Sequence, residues 1–156
     1  MSLLSSFLEA FIPLFVVIDP IGLAAIFLGL GQGVAAKQKQ QIARQATLTG
    51  GAVALVFLFL GANIFKALGI SESDFQIAGG FILFLLAARD LMQPAAQPTA
   101  VPHDFGVVPL GMPLIAGPAL ITSLIALAQT LGVLITLAAL VVNLVLVVLA
   151  FRYSEA

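Results

Sequence analysis

Asp19 stands directly before Pro20 inside an otherwise apolar stretch, FIPLFVVIDPIGLAAIFLGL (11–30). A carboxylate at the centre of a membrane-crossing helix costs about 2.5–3.5 kcal/mol on insertion scales. Nothing in the apolar pattern asks for it. Two roles fit, and they are compatible. The carboxylate can contact a cation or a polar substrate, which opens H⁺ or Na⁺ coupling. It can also cap the helix that Pro20 opens, because Asp at the N-cap and Pro at the first helical position form a helix-start signature. Gly117-Pro118 makes a second interruption 98 residues later. Thr122 and Ser123 lie one turn beyond it, either facing the break or bonding back to their own helix. Asn143 lies near the middle of a further apolar run, suited to substrate contact or to a hydrogen bond between helices. The candidate substrate-binding set is therefore Asp19, Pro20, Gly22, Gly117, Pro118, Thr122, Ser123 and Asn143. No catalytic residues are assigned, because no group of His, Ser, Asp and Glu can converge as acid, base and nucleophile. With no Cys and a single His, His103, neither a metal site nor a resident cofactor is expected.

The solvent around these residues follows from composition. Hydrophobic residues make up 62% of the 156-residue chain and charged residues 8%, against about 25% charged in a soluble domain. Mean hydropathy is +1.20. The chain is an all-α integral membrane protein on this reading, with the lipid bilayer as its principal partner. A net charge of −1 leaves no basic field for nucleic acid. Charge-free runs locate the spans: 45–65, 75–88 and 105–151. The last is too long for one crossing and splits at Gln129-Thr130-Leu131-Gly132. Five transmembrane segments result, at about 7–31, 47–69, 75–92, 105–129 and 132–151, each near the length lipid requires. Residues 34–46 read as a helical extension into the second segment, and 93–104, with three prolines, as a linker.

Segments one and four are both interrupted at mid-membrane depth, with twelve residues on either side of Asp19 and of Gly117. Proline lacks an N–H and clashes with the preceding turn. Non-helical backbone at that depth survives only inside protein or beside a wet cavity. Each proline would open a half-helix whose free N–H groups and positive dipole end suit an anionic group. Paired interrupted segments point to a transporter substrate site. Plain proline kinks are the alternative.

Orientation follows from Lys and Arg. Lys37, Lys39, Arg44, Arg89 and Arg152 share one side, and Lys66 is alone on the other. The first side is placed in the cytoplasm, with the N-terminus outside and the C-terminus of this chain inside. No secretory signal is expected, since no basic residue precedes the first apolar stretch. Asn63 reads as an interhelical hydrogen-bonding residue, Gly79-Gly80 as a close-packing site, Arg89-Asp90 as an interfacial anchor and Gly29 to Gly33 as a helix end.

Three blocks carry a resemblance: 11–30 above, FQIAGGFILFLLAARDLM (75–92) and VPLGMPLIAGPALITSLI (108–125). Together they resemble the MarC family of bacterial and archaeal inner-membrane proteins, some of them transporters of small neutral amino acids. The family often has proline where Ala25 stands and glycine where Ala119 stands. The resemblance implies six segments arranged as two inverted three-helix repeats, with substrate at the two breaks. Residues 1–92 would then be the first repeat, 93–104 the cytoplasmic linker, and 105–156 an incomplete second repeat of two helices. The sixth segment that the resemblance implies would follow FRYSEA (151–156), where this sequence stops.

The leading expectation is a secondary transporter or exporter of small neutral amino acids, glycine or alanine in type, in a bacterial or archaeal plasma membrane. The small residues around both breaks leave room only for a small side chain. The substrate class comes from the resemblance. The alternative is a non-transporting scaffold, a subunit or an inactive truncated fragment. Homo-oligomerisation is a further expectation, since it could complete a half-built repeat.

Overall fold

A computed structural model describes residues 2–92, 111, 112 and 114–154, without the side chains of residues 86 and 89–91. The linker at 93–104, His103, the side chains of Arg89 and Asp90 and most of the first half of segment four lie outside the described residues. Those that are described form helices and turns, with no strand among them.

Helix α1 (Leu3–Ile18) starts at Ser2, whose hydroxyl accepts the Ser5 N–H at 3.2 Å. It runs through Pro13 without ending. Asp19 stops it, and α2 (Pro20–Leu30) begins at the next residue. Gly31 closes α2 by donating to the Phe27 carbonyl at 2.9 Å. Helix α3 (Ala36–Leu68) is a single 33-residue helix, so the extension expected at 34–46 is continuous with the second segment. At 1.5 Å per residue it is about 50 Å long, well beyond the roughly 30 Å hydrocarbon core. Gly69, at φ 67°, ends it. Its N–H reaches the Lys66 carbonyl and the Ile70 N–H the Phe65 carbonyl, a Schellman closure completed by Ile70 packing on Phe65.

Helix α4 (Glu72–Met92) opens with a capping box. The Ser71 hydroxyl accepts the Asp74 N–H at 3.1 Å, and Asp74 Oδ2 accepts the Ser71 N–H at 2.9 Å and its hydroxyl at 2.7 Å. Those bonds favour the charged form and hold the Asp74 carboxyl below the usual carboxylate range. Helices α5 (Pro118–Thr130) and α6 (Val133–Tyr153) are joined by a tight turn in which Gly132 takes φ 91°.

Three of the helical stretches are long and apolar enough to cross a membrane: Leu3–Leu30, Ala36–Leu68 and Val133–Tyr153. Helix α4 has similar length but carries charged residues at both ends. Helix α5 is the second half of the interrupted fourth segment. The five-segment architecture is thus that of an all-α membrane protein. Large apolar side chains cover the outside, among them Ile77, Phe81 and Phe84 on α4 and Leu134 on α6, as a lipid solvent allows.

With lipid outside, helices gain little from hiding apolar surface, so close approach and hydrogen bonds must hold them together. Helix α6 packs against α1, α2, α3 and α5, while α3 and α4 also pack on α5. The buried face of α6 follows helical spacing: Thr136, Leu140, Asn143, Val147 and Phe151. Helix α3 presents small residues instead. A Cβ placed on Gly50 would lie 2.5 Å from Ile115 Cγ2, and one on Gly61 would lie 2.8 Å from Ile125 Cδ1. These glycines admit bulky residues of the second half of the chain directly onto the α3 backbone.

Candidate functional site

The first interruption is built from four residues. Asp19 has φ 48° and ψ 67°, and among the described residues it alone is a non-glycine with positive φ. Left-handed backbone costs an L-residue roughly 1–2 kcal/mol, and Asp and Asn bear it best. Its N–H still bonds the Phe15 carbonyl at 3.0 Å, and its carbonyl accepts from Leu23 at 2.9 Å. Between them the helical ladder is broken. Pro20 has no N–H to give, and Gly22 donates its own to Asp19 Oδ1 at 3.0 Å. A Cβ on Gly22 would sit 2.9 Å from Asp19 Cγ, so the carboxylate occupies the space that only glycine leaves free. The Asp19-Pro20-Ile21-Gly22 run is therefore one device: a left-handed turn, a rigid first helical residue and a cradle for the cap. Asp19 is exposed, and Oδ2 has no hydrogen-bond partner among the described residues. Pro20 is buried.

The second interruption uses no side-chain cap. Gly117 is extended, at φ −84° and ψ 171°, and Pro118 opens α5. Just before it the chain is wound more loosely, with the Ala116 N–H reaching the Gly111 carbonyl at 3.2 Å. Pro118 packs on Gly79 of α4, where a Cβ would lie 2.6 Å from Pro118 Cβ. This is the close approach expected of the Gly79-Gly80 pair. Thr122 is buried, donates to the Pro118 carbonyl at 3.0 Å and accepts from Gln76 Nε2 at 2.8 Å. Of the two roles open to Thr122, the back-bonded one is realised. Ser123 is half-buried beside it.

Asn143 is fully buried on α6. Its Nδ2 donates to the Ala139 carbonyl at 2.9 Å and across to the Phe11 carbonyl of α1 at 3.3 Å. Its Oδ1 is buried without a partner among the described residues. Asn143 thus ties the N-terminal half of the first segment to α6, as an interhelical amide should. Asn63 does not follow that expectation: its side chain is exposed and bonds no described residue.

Both interruptions border one apolar core. Ile18, the last residue of α1, and Leu120, in the first turn of α5, belong to it together with Leu23 and Leu124. No hydrogen bond joins the two interruptions among the described residues. A cavity of about 850 Å³ opens elsewhere, between α2, the start of α3 and the end of α6, and none of the eight candidate residues lines it. Gln76 is not among the residues that the sequence pattern singles out. The available signal was its position one turn before Gly79, which places both on the α4 face that meets α5.

Residues 4–156 match the family described as MarC family integral membrane protein. The UPF0056 membrane protein YvbG of Bacillus subtilis is 33% identical over 134 residues, which cover 80% of this chain and 64% of that protein. A UPF0056 membrane protein of Archaeoglobus fulgidus is 29% identical over 160 aligned positions, covering 97% of this chain and 75% of its own. The UPF0056 inner membrane protein YhgN of Escherichia coli is 31% identical over 130 residues, 81% of this chain and 66% of that one. The chain thus spans less than two thirds of the Bacillus and Escherichia relatives. No solved structure matches it. With interruptions at the DPIGLA and LIAGP blocks and a match along nearly the whole sequence, the chain belongs to the MarC family of multi-pass integral membrane proteins, found in bacteria and archaea.

Proposed function

We propose that the protein forms the substrate-binding part of a secondary transporter or exporter for small neutral amino acids, bound at the two interruptions. The observation that carries this reading is Asp19: a non-glycine residue held in left-handed backbone, inside a membrane span, with one carboxylate oxygen capping α2 and the other unpaired among the described residues. Strained, polar backbone within a span is characteristic of ligand sites. A zwitterion has two groups to satisfy. Asp19 Oδ2 takes the ammonium. The start of α5, which has no side-chain cap, takes the carboxylate through free N–H groups at the positive end of the helix. Pro20, Gly22, Gly117 and Pro118 shape the backbone of the pocket, and Ser123 lies at its edge. Thr122 and Asn143 brace it through Gln76 and Phe11. The small residues Gly22, Ala24, Ala116 and Gly117 restrict the substrate side chain. Asp19 also carries the coupling to H⁺ or Na⁺. The cation-rich ends of α3 and α6 face the cytoplasm, with the N-terminus outside, and the two repeats are inverted.

The test is uptake of labelled glycine and alanine into liposomes. The chain is compared with its Asp19→Asn variant and with a form extended by the further segment of the longer relatives. Saturable flux in either form, lost in Asp19→Asn, is the expected result. Absence of substrate-dependent flux in both forms overturns the reading in favour of a non-transporting scaffold or subunit.

A further inference from the structure

The cavity away from the interruptions has a consistent chemistry of its own. It lies between Phe27 near the end of α2, the first three to four turns of α3 and the last turns of α6, and it measures about 850 Å³. Three cations line it: Lys37, Arg44 and Arg152. Among the described residues no Asp or Glu lines it, and none of the three cations forms an ion pair with a described residue. Lys37 and Arg44 are seven residues apart, two turns along one face of α3. Gln40 and Gln41 between them add amide donors on that face. No acid lies in the first turn of α3, and no side chain caps it.

Below the cations the lining changes character. Leu48 follows Arg44 by four residues, about 6 Å along the helix. It is exposed, as is Val148 on α6. The back wall is an aromatic pair, buried Phe27 and Phe151, with ring centroids 4.8 Å apart. Helix α3 is about 20 Å longer than the hydrocarbon core needs, so its cationic start extends into the headgroup layer while Leu48 reaches the acyl region. The cavity is therefore charged at headgroup depth and apolar beneath, with its apolar lip open to lipid.

The geometry points to a binding site for an anionic phospholipid. Its phosphate sits among Lys37, Arg44 and Arg152, and an acyl chain lies along Leu48 and Val148 against the Phe27–Phe151 wall. Arg44 and Arg152 supply the forked donors that match phosphate oxygens. A free phosphate uses the cations but has no use for the apolar lip, which is the reason for assigning a lipid. The site is separate from the interruptions and holds whether or not the protein transports amino acids.

The test uses the full chain in phosphatidylcholine bilayers doped with spin-labelled phosphatidylglycerol or spin-labelled phosphatidylcholine. Electron spin resonance of the motionally restricted fraction gives the relative association constant. The result expected is a preference for phosphatidylglycerol that weakens by about fivefold for each of Arg44→Gln and Arg152→Gln and falls with added salt. Lys66→Gln, at the opposite end of α3, leaves it unchanged. All of these side chains are exposed, and circular dichroism checks that each variant keeps its helices. Equal association of the two lipids overturns the proposal. So does a preference that survives Lys37→Gln/Arg44→Gln/Arg152→Gln. Loss of the preference on adding millimolar inorganic phosphate at constant ionic strength also overturns it, in favour of a site for a soluble anion.

Discussion

Replacing Gly50 by alanine tests the packing that positions the second interruption. The new Cβ would meet Ile115 at 2.5 Å from Cγ2 and 2.7 Å from Cβ, with the Gly111 carbonyl oxygen at 3.2 Å. Favourable carbon–carbon contact lies at about 3.5–4.0 Å, so roughly 1 Å of movement is required. Rotating the Ile115 side chain cannot supply it, because the Ile115 Cβ is fixed to the backbone and the residue is 1% exposed. Helix α3 and the segment before Gly117 must separate instead. Overpacking of this kind costs about 1–3 kcal/mol, and alanine's better helix propensity returns up to about 1 kcal/mol. A net loss of about 1–2 kcal/mol is expected. Gly80→Ala is the matched control, since a Cβ there meets nothing within 4 Å; it should be neutral or slightly stabilising. Unfolding by sodium dodecyl sulfate titration in mixed micelles, followed by circular dichroism, measures both. Ile115→Ala in the Gly50→Ala background should restore only part of the loss, because it removes Cγ2 and keeps Cβ. Equal stability of Gly50→Ala and Gly80→Ala would refute the close approach of α3 to residues 111–115.

Three further outcomes follow from the same geometry. Asp19→Asn should keep the fold, because asparagine caps helices and tolerates left-handed backbone, whereas Asp19→Ala should lose roughly 1–3 kcal/mol from the missing cap and the strained φ, measured by the same titration. Gln76→Leu should cost about 0.6 kcal/mol, the usual worth of an interhelical hydrogen bond in a bilayer, and a double-mutant cycle with Thr122→Val should recover that coupling. The Asp74 carboxyl titrates lower when folded than when unfolded, so its contribution is complete above about pH 4 and is lost as pH falls through the lower folded value. Protection from hydrogen exchange at the start of α4, measured against the intrinsic rate at each pH, should therefore fall in acid, and Asp74→Asn should remove that pH dependence of the protection.

Much of the architecture was legible because lipid imposes a simple rule: charges mark the ends of spans. The gaps between charges located α3, α4 and α6, and the glutamine- and lysine-rich 34–46 stretch read as helix because its residues favour one, with the helix itself starting at Ala36. The Asp19-Pro20 break was legible for the same reason that it forms, since proline removes a donor and aspartate replaces it. The role of Gly22 was not, because making room for the Asp19 carboxylate is a three-dimensional requirement. Asn63 and Asn143 look alike in sequence, yet one is exposed and the other is sealed between α1 and α6. Which side of a helix meets protein and which meets lipid is weakly written when both sides are apolar. Gln76 and Thr122 lie 46 residues apart, and only the packing of α4 on α5 pairs them.

In the proposed function the Asp19 charge serves a ligand beyond capping α2. The most direct measurement compares glycine and alanine flux in liposomes containing the wild type or Asp19→Asn, with unfolding midpoints recorded for both. Asparagine preserves the cap, the left-handed turn and the cradle at Gly22, and it removes only the charge. Matching midpoints, with saturable flux abolished or uncoupled in the variant, are the expected result. Matching midpoints with unchanged, equally coupled flux would contradict it and leave Asp19 a helix cap alone.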